Sequence, residues 1–396
     1  MRALSPQQEP QVRLCRNAGA AIRLEGREVR AANDRGGLSS LPARTAEPAL
    51  PGRRLSDLVG GQGATRSKRL WGLIVSELHK FIFDGLPVRG MIVRLTDSWQ
   101  EILKRRESAG GYPAPVLQLL GEMTAAGALM QSNIKFNGAL VLQIFGDGPV
   151  KLAVAEVQPD LSLRATASVT GPVEADSSLS QLVNVNNEGR CAITLDPKDR
   201  FPGQQPYQGV VPLFGDRHEK IENLGEVLEH YMLQSEQLDT RLILAADGNV
   251  AAGLLIQRLP VTGQGNLAGQ TDRDANEDQI GVNEDYLRIA MLAGTLTRDE
   301  LLSLDVETIL RRLFWEETII RFEPLAPTFA CSCSRERVSN MLRGLGTAEV
   351  DSIIAERGQV DVACEFCGAQ YDFDPVDAAQ IFTHQVQQQP PPSTVQ

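Results

Sequence analysis

The sequence predicts an α+β protein: an N-terminal mixed sheet and helix domain, a helical linker and a small C-terminal four-cysteine module. Three observations predict it. Strand-like runs recur between residues 77 and 260, broken by a few helices and without regular strand–helix alternation. Beyond a polar stretch at 261–275 the apolar spacing becomes helical. Four of the six cysteines then fall within residues 331–367. At 396 residues the chain exceeds the ~250–300 at which single cores stop growing, so several domains are expected.

Residues 1–76 are expected to be a disordered extension, or the product of an upstream start. Runs such as Asn33-Asp34-Arg35-Gly36-Gly37 and Gly60-Gly61-Gln62-Gly63 break any helical or strand period. Residues 1–70 hold 13 Lys/Arg against 6 Asp/Glu, a balance of +7, which leaves −18 for the remainder of a chain at −11. The acids Glu25, Glu28, Asp34 and Glu47 argue against a transit peptide, and no apolar core for a secretory signal is present.

The α+β domain is placed at 77–260. Val88–Leu95 alternates as a strand, and Pro115 opens an apolar, Ala-rich helix through Met130. Strands follow at Ala139–Phe145, Lys151–Val157, Ser162–Thr170, Cys191–Leu195 and Tyr207–Leu213, with Gly146-Asp147-Gly148-Pro149 as a hairpin turn. Glu222–Gln237 carries one apolar stripe and reads as a helix. Thr240–Ala246 and Val250–Leu259 pair around Asp247-Gly248-Asn249.

Residues 261–327 form a polar linker and a metastable helical region. Thr297 and Glu300 stand in capping-box relation, and Val306, Ile309, Leu310 and Leu313 make a helical stripe. Acids outnumber bases about two to one over 276–323, which predicts a self-repelling segment, ended by Pro324 and Pro327. The cysteine module spans 328–385, and a polar, Gln- and Pro-rich tail at 386–396 has no core to join.

Cys331-Ser332-Cys333 and Cys364-Glu365-Phe366-Cys367 carry the chemistry. A Cys-x-Cys segment puts two sulfurs on one side of an extended chain. Cys-x-x-Cys before Gly368 suits a tight knuckle whose backbone N–H groups turn toward sulfur. Two helical stretches, Arg335–Arg343 stopped by Gly344 and Ala348–Arg357 capped by Thr347 and stopped by Gly358, fold the chain back so the pairs meet. Four thiolates close a tetrahedral zinc site with no open position, and such a site is normally structural. Each pair is also close enough to form its own disulfide, and thiolates are what oxidants attack. A Cys-x-Cys disulfide closes a strained, easily reduced ring. Spacing leaves both readings open: inert structural zinc, or a redox switch on the same ligands.

The chain resembles the heat-shock protein 33 family of redox-regulated holdase chaperones. Phe83-Asp84, Pro87-Val88-Arg89-Gly90, Gln118-Leu119-Leu120-Gly121-Glu122, Gly146 to Leu152, Tyr207-Gln208-Gly209-Val210-Val211 and Ser235-Glu236-Gln237-Leu238 carry the likeness. Cys331-Ser332-Cys333-Ser334-Arg335-Glu336-Arg337 and Cys364 to Gly368 complete it, over about 77–383. The departures are the N-terminal extension and Asp239, where many relatives have Pro.

The resemblance implies a cytoplasmic, ATP-independent chaperone that is not an enzyme. It holds one zinc per chain when reduced, through Cys331, Cys333, Cys364 and Cys367. Oxidation is then expected to link Cys331 to Cys333 and Cys364 to Cys367, expel zinc, unfold the linker and expose a surface for unfolding client proteins. A homodimer of the oxidised form is a further expectation.

Competing readings are weaker. An inert zinc module in a constitutive interaction domain remains the alternative. A zinc-ribbon nucleic-acid binder has Arg335, Arg337 and Arg343 but no basic stripe or aromatic run, on an acidic body; these arginines read as a solvated face partly offsetting the zinc site's charge. No His-x-Glu accompanies the cysteines as a deaminase needs, no βαβ unit adjoins Cys364, and no phosphate-binding loop appears. No window approaches a membrane span. His79, His218, His230 and His384 read as exposed or incidental, Cys191 as core, and Cys15 carries no argument.

Overall fold

The computed structural model describes residues 75–107, 110–199, 201, 204–215, 217–259 and 283–383, together with the strands Arg13–Leu14 (β1), Ala21–Leu24 (β2) and Arg53–Arg54 (β3). The remainder of the N-terminal extension, the 261–282 stretch and the 386–396 tail lie outside the described residues. Contacts divide the chain into a larger unit that runs to Ala330 and a smaller one from Cys331 onward; β1 and β2 belong to the smaller.

Two six-stranded sheets and one buried helix build the larger unit. The first sheet runs β11-β12-β5-β4-β13-β3, from Glu77–Phe83 (β4), Val88–Leu95 (β5), Thr240–Ala246 (β11), Ala251–Arg258 (β12) and Ile319–Arg321 (β13). The second runs β10-β9-β6-β7-β8-β14, from Gly138–Phe145 (β6), Val150–Val157 (β7), Ser162–Val169 (β8), Arg190–Pro197 (β9), Tyr207–Pro212 (β10) and Thr328–Phe329 (β14). All pairings are antiparallel except β14 with β8. The predicted hairpin turns join β6 to β7 and β11 to β12. The strand β4 and the helix Asp97–Glu107 (α1) were not assigned from sequence; α1 is anchored by Trp99, whose Nε1 donates to the Asp247 carbonyl at 2.8 Å.

Ala114–Asn133 (α2) is apolar on nearly every face because it lies against strands of both sheets. Leu119, Leu120, Met123 and Leu129 on it share a core with Met91, Val93, Leu95 and Leu255. The alternate residues Ile92, Leu254 and Ile256 project to the opposite face of the first sheet. There they meet three helices: Glu284–Gly294 (α5), Arg298–Ser303 (α6) and Val306–Leu313 (α7). The remaining described helices of the unit are Leu179–Val183 (α3) and Leu224–Glu236 (α4). Every residue of β12 is buried, as a strand covered on both sides must be.

The linker helices thus have a partner. Tyr286, Ile289, Leu301, Val306, Ile309, Leu310, Leu313 and Phe314 are buried against the sheet, and the Phe83 and Phe314 rings meet edge-on at 5.0 Å. The capping box of Thr297 and Glu300 forms as predicted. Self-repulsion does not follow from the acid excess, because the acids find cations: Glu300 with Arg312 at 2.7 Å, Glu317 with Arg288 and Glu307 with Arg321.

The smaller unit contains Arg335–Leu345 (α8), Thr347–Arg357 (α9), Val360–Cys364 (β15), Gln370–Phe373 (β16) and Pro375–Thr383 (α10). β15 pairs with β16 on one side and β2 on the other. Val338, Leu342, Val350, Val360, Val362, Phe373, Ala378 and Ile381 form its core. Two predicted boundaries move: α8 runs through Gly344 and stops at Gly346 (φ 91°), and Thr347 lies inside α9 rather than capping it. Gly358 ends α9 in the left-handed conformation, as expected.

Candidate metal centre

The four sulfurs come from two different kinds of local structure. Cys331 and Cys333 lie on an irregular segment leading into α8, whose start is set by Ser334, whose Oγ accepts from the Arg337 N–H. Cys364 ends β15, and Cys367 follows after a turn in which the Gly368 N–H donates to the Cys364 carbonyl at 2.7 Å. Gly368 sits at φ 71°, which a side chain would strain. This turn aims the Cys367 N–H at the Cys364 Sγ and the Ala369 N–H at the Cys367 Sγ. These are the N–H to sulfur contacts the knuckle spacing predicts.

All four Sγ atoms lie within 4.8 Å of one another. Cys331 Sγ is 3.7 Å from Cys364 Sγ, and Cys333 Sγ is 3.3 Å from Cys367 Sγ. A tetrahedral ion with ~2.3 Å zinc–sulfur bonds needs edges of about 3.8 Å, so the cage fits zinc. Cys364 is buried and the other three are half-buried, which excludes bulk water from the cage but leaves sulfur within reach of a small oxidant.

Crowded thiols resist ionising together. Hydrogen bonding with the Cys331 thiol is the largest influence raising the Cys364 thiol above its ordinary range, with Cys367 and burial adding to it. The Cys367 thiol is pushed up to about 11, again chiefly by Cys331. A divalent cation at the centre reverses this, because it neutralises the charge that each added thiolate would otherwise meet.

The Tyr371 hydroxyl on β16 donates to the Cys333 Sγ at 3.1 Å. That hydrogen bond is the main reason its phenol is held above the usual range. The sequence reading missed this residue; a tyrosine four positions beyond the second cysteine pair was its one weak signal. Arg335, Arg337 and Arg343 do not form a free cationic face. Arg335 stacks on Phe373 and pairs with Asp377, Arg337 donates to Ser332, and Arg343 donates to the Ile381 carbonyl and Asn340.

Of the histidines, His79 is neither exposed nor incidental. It is buried on β4, its Nε2 is 2.9 Å from Glu77, and its Nδ1 faces the Arg321 guanidinium at 3.0 Å. His218 packs on Phe214, and His384 lies outside the described residues, as does Cys15. Cys191 is buried in β9, as predicted for a core residue, and burial pushes its thiol up to about 12. Asp239 is buried too, and it accepts from Arg258 Nε at 2.8 Å.

Comparison with known proteins joins both units. The family model described as "Hsp33 protein" matches residues 76–374. The 33 kDa chaperonin of Chromobacterium violaceum is 44% identical over 310 residues, covering 78% of this chain and 95% of that protein. The 33 kDa chaperonin of Methylobacillus flagellatus is 43% identical over 314 residues, covering 79% and 96%. The crystal structure of the 33 kDa chaperonin of Thermotoga maritima, a heat shock protein 33 homolog, superposes with a TM-score of 0.59. It covers 79% of this chain and 99% of its own, at 20% identity, and so bears on the fold. With the sheets, the helices and the four-sulfur cage in place, the chain belongs to the Hsp33 family.

Proposed function

We propose that the chain is a redox-regulated, ATP-independent holdase chaperone for unfolding proteins. The observation that carries this reading is the cage itself, with four sulfurs at zinc-binding separation on a module too small to be stable without help. Cys331, Cys333, Cys364 and Cys367 hold one zinc per chain. Zinc bound there keeps the sulfurs as thiolates and ties the segment before α8 to the β15–β16 hairpin. The names of the relatives support a chaperone rather than an enzyme.

The switch follows from the ligand chemistry. With hydrogen peroxide as oxidant, each pair of thiolates gives up two electrons to form one disulfide, while the peroxide takes up those electrons and two protons from solvent and becomes two waters. We assign the disulfides as Cys331 to Cys333 and Cys364 to Cys367. A disulfide sulfur is a poor ligand, so metal leaves as the bonds form. Structural zinc is worth on the order of 10 kcal/mol, enough to unfold a module of this size. One residue, Ala330, separates Cys331 from β14, a two-residue edge strand, so disorder in the module reaches the end of the second sheet along the chain. The released apolar face of α5, α6 and α7 then takes clients. No helix among the described residues is long and apolar enough to cross a membrane; we place the chaperone in the cytoplasm and propose a homodimer as its oxidised form.

Zinc per chain, disulfide mapping by mass spectrometry and light scattering of a heat-denatured test protein, before and after peroxide, test this together. Zinc near one, then near zero, with suppression of scattering only after oxidation is the expected result. Cross-linked Cys331–Cys364 and Cys333–Cys367 peptides would overturn the pairing. Equal suppression in both states, with zinc retained, would favour an inert structural site.

A further inference from the structure

Arg89, in the Pro87-Val88-Arg89-Gly90 motif, has no part in the sulfur cage or in the cover over the linker helices. It points from β5 toward the end of α2, where Lys80 of β4 meets it. The register pairs Ile82 with Arg89 and Lys80 with Met91, so Lys80 and Arg89 share one face of the sheet as diagonal neighbours. Both are half-buried.

The partners of these two cations are neutral. Lys80 Nζ donates to the Ser132 carbonyl, and Arg89 donates through Nε (3.1 Å) and Nη2 to the Gln257 Oε1. That same oxygen also accepts from Asn133 Nδ2 at 2.8 Å, so it is saturated. Gln257 is itself held by its Nε2, which donates to Thr240 Oγ1 at 2.8 Å. Two N–H groups of Lys80, three of Arg89 and one of Asn133 therefore have no acceptor among the described residues, and no described carboxylate lies within ion-pair distance of either cation. The C-terminus of α2 offers about half a negative charge, too little for two. Burial, with Arg89 as the second cause, lowers the Lys80 ammonium, and burial alone lowers Arg89 to about 10.

We propose that Lys80, Arg89 and Asn133 form a binding site for a doubly charged oxyanion of phosphate size. Cationic donors on neighbouring strands and an amide at the end of α2, with Arg89 and Asn133 held by Gln257, are donors of the kind that recognise a tetrahedral dianion, the guanidinium supplying a fork of parallel N–H groups. Two structural roles compete: Lys80 as a cap on α2 and Arg89 as a brace on Gln257.

The test uses the full reduced chain, inorganic phosphate as probe and sodium chloride to hold ionic strength constant. The expected result is saturable binding by calorimetry, with the Arg89 Nε–H resonance shifting along the same isotherm. Lys80→Met should weaken binding about tenfold or more, because a charge-assisted hydrogen bond to the ligand is lost; loss of its bond to the Ser132 carbonyl lowers thermal stability separately, so affinity and not stability is the readout. Arg89→Gln should abolish it; should that variant fail to fold, Lys80→Met and the wild-type resonance still decide. Phosphate acting no differently from chloride, unchanged affinity in Lys80→Met, or acetate binding as tightly as phosphate would each overturn the proposal.

Discussion

Arg94 on β5 donates through Nη2 to the Leu302 carbonyl at 2.7 Å, and its Nη1 reaches the carbonyls of Leu301 and Leu304 at 3.2 Å each. One guanidinium from the first sheet therefore satisfies the unpaired carbonyl end of α6, the shortest of the three described linker helices. Burial is the main influence on Arg94 and lowers its pKa, with Glu77, Asp247 and Asp305 opposing that effect.

Arg94→Met should remove this anchor. Loss of hydrogen bonds to a charged donor is expected to loosen α6 by about 1–3 kcal/mol. Hydrogen exchange at residues 298–313 in the reduced protein should rise, with the amides of α2 unchanged. Equal protection in α6 before and after the substitution would show that the apolar face alone holds the helix.

Glu122 on α2 is 4.0 Å from the guanidinium of Arg298, the first residue of α6, and Gln118 donates to it at 2.9 Å. Burial raises its carboxyl to about 7, against the smaller opposing pull of Gln118 and Arg298. A carboxyl with a raised folded-state value binds its proton more tightly folded than unfolded. Its contribution to stability is therefore best in acid and is lost as pH rises from about 4.5 to 7. Glu122→Gln should remove this slope, and the variant should gain on the wild type by up to about 3 kcal/mol by pH 8. Parallel unfolding curves at pH 5 and pH 8 check the sign.

Tyr371→Phe deletes the hydroxyl that donates to the Cys333 Sγ. Zinc affinity is expected to fall about 10–100-fold, as for other partners of metal ligands. Competition with a chromophoric chelator measures this without reference to chaperone activity. The hairpin β15–β16 should keep its register in the zinc-loaded variant.

Cys191→Ser should leave zinc content and oxidant response unchanged. A buried hydroxyl without a partner is expected to destabilise the larger unit by about 1–3 kcal/mol. In the native wild type Cys191 should resist thiol reagents, since it is buried and its thiol is pushed up to about 12. Rapid modification of Cys191 in the folded, reduced chain would contradict its place in the core.

Much of the fold was legible because it rests on local rules. Alternation marked β5, apolar runs between turn signals marked β6 through β12, a proline marked the first turn of α2, and the S/T-x-x-E pattern marked α6. The four-cysteine cluster was legible for the same reason, since cysteine pairs at short spacing have few uses besides metal binding and redox chemistry. Ion pairing was not. Glu156 and Arg164 stand directly opposite one another on β7 and β8, both buried, and Asp239 meets Arg258 at the end of β11 and β12. A charge inside an apolar run shows its partner only when the register is known.

By itself the sequence determined most of the strands, which helices are amphipathic and which four cysteines are candidates for one site, because periodicity and ligand spacing are properties of neighbours in the chain. Only the tertiary structure decided what the linker helices cover, where His79 and Tyr371 point, and that Lys80 and Arg89 share one face with no acid of the described residues paired to either. Those outcomes depend on strand order and on which face of a sheet a helix closes. Contacts between residues far apart in the chain set both, and no local pattern records them.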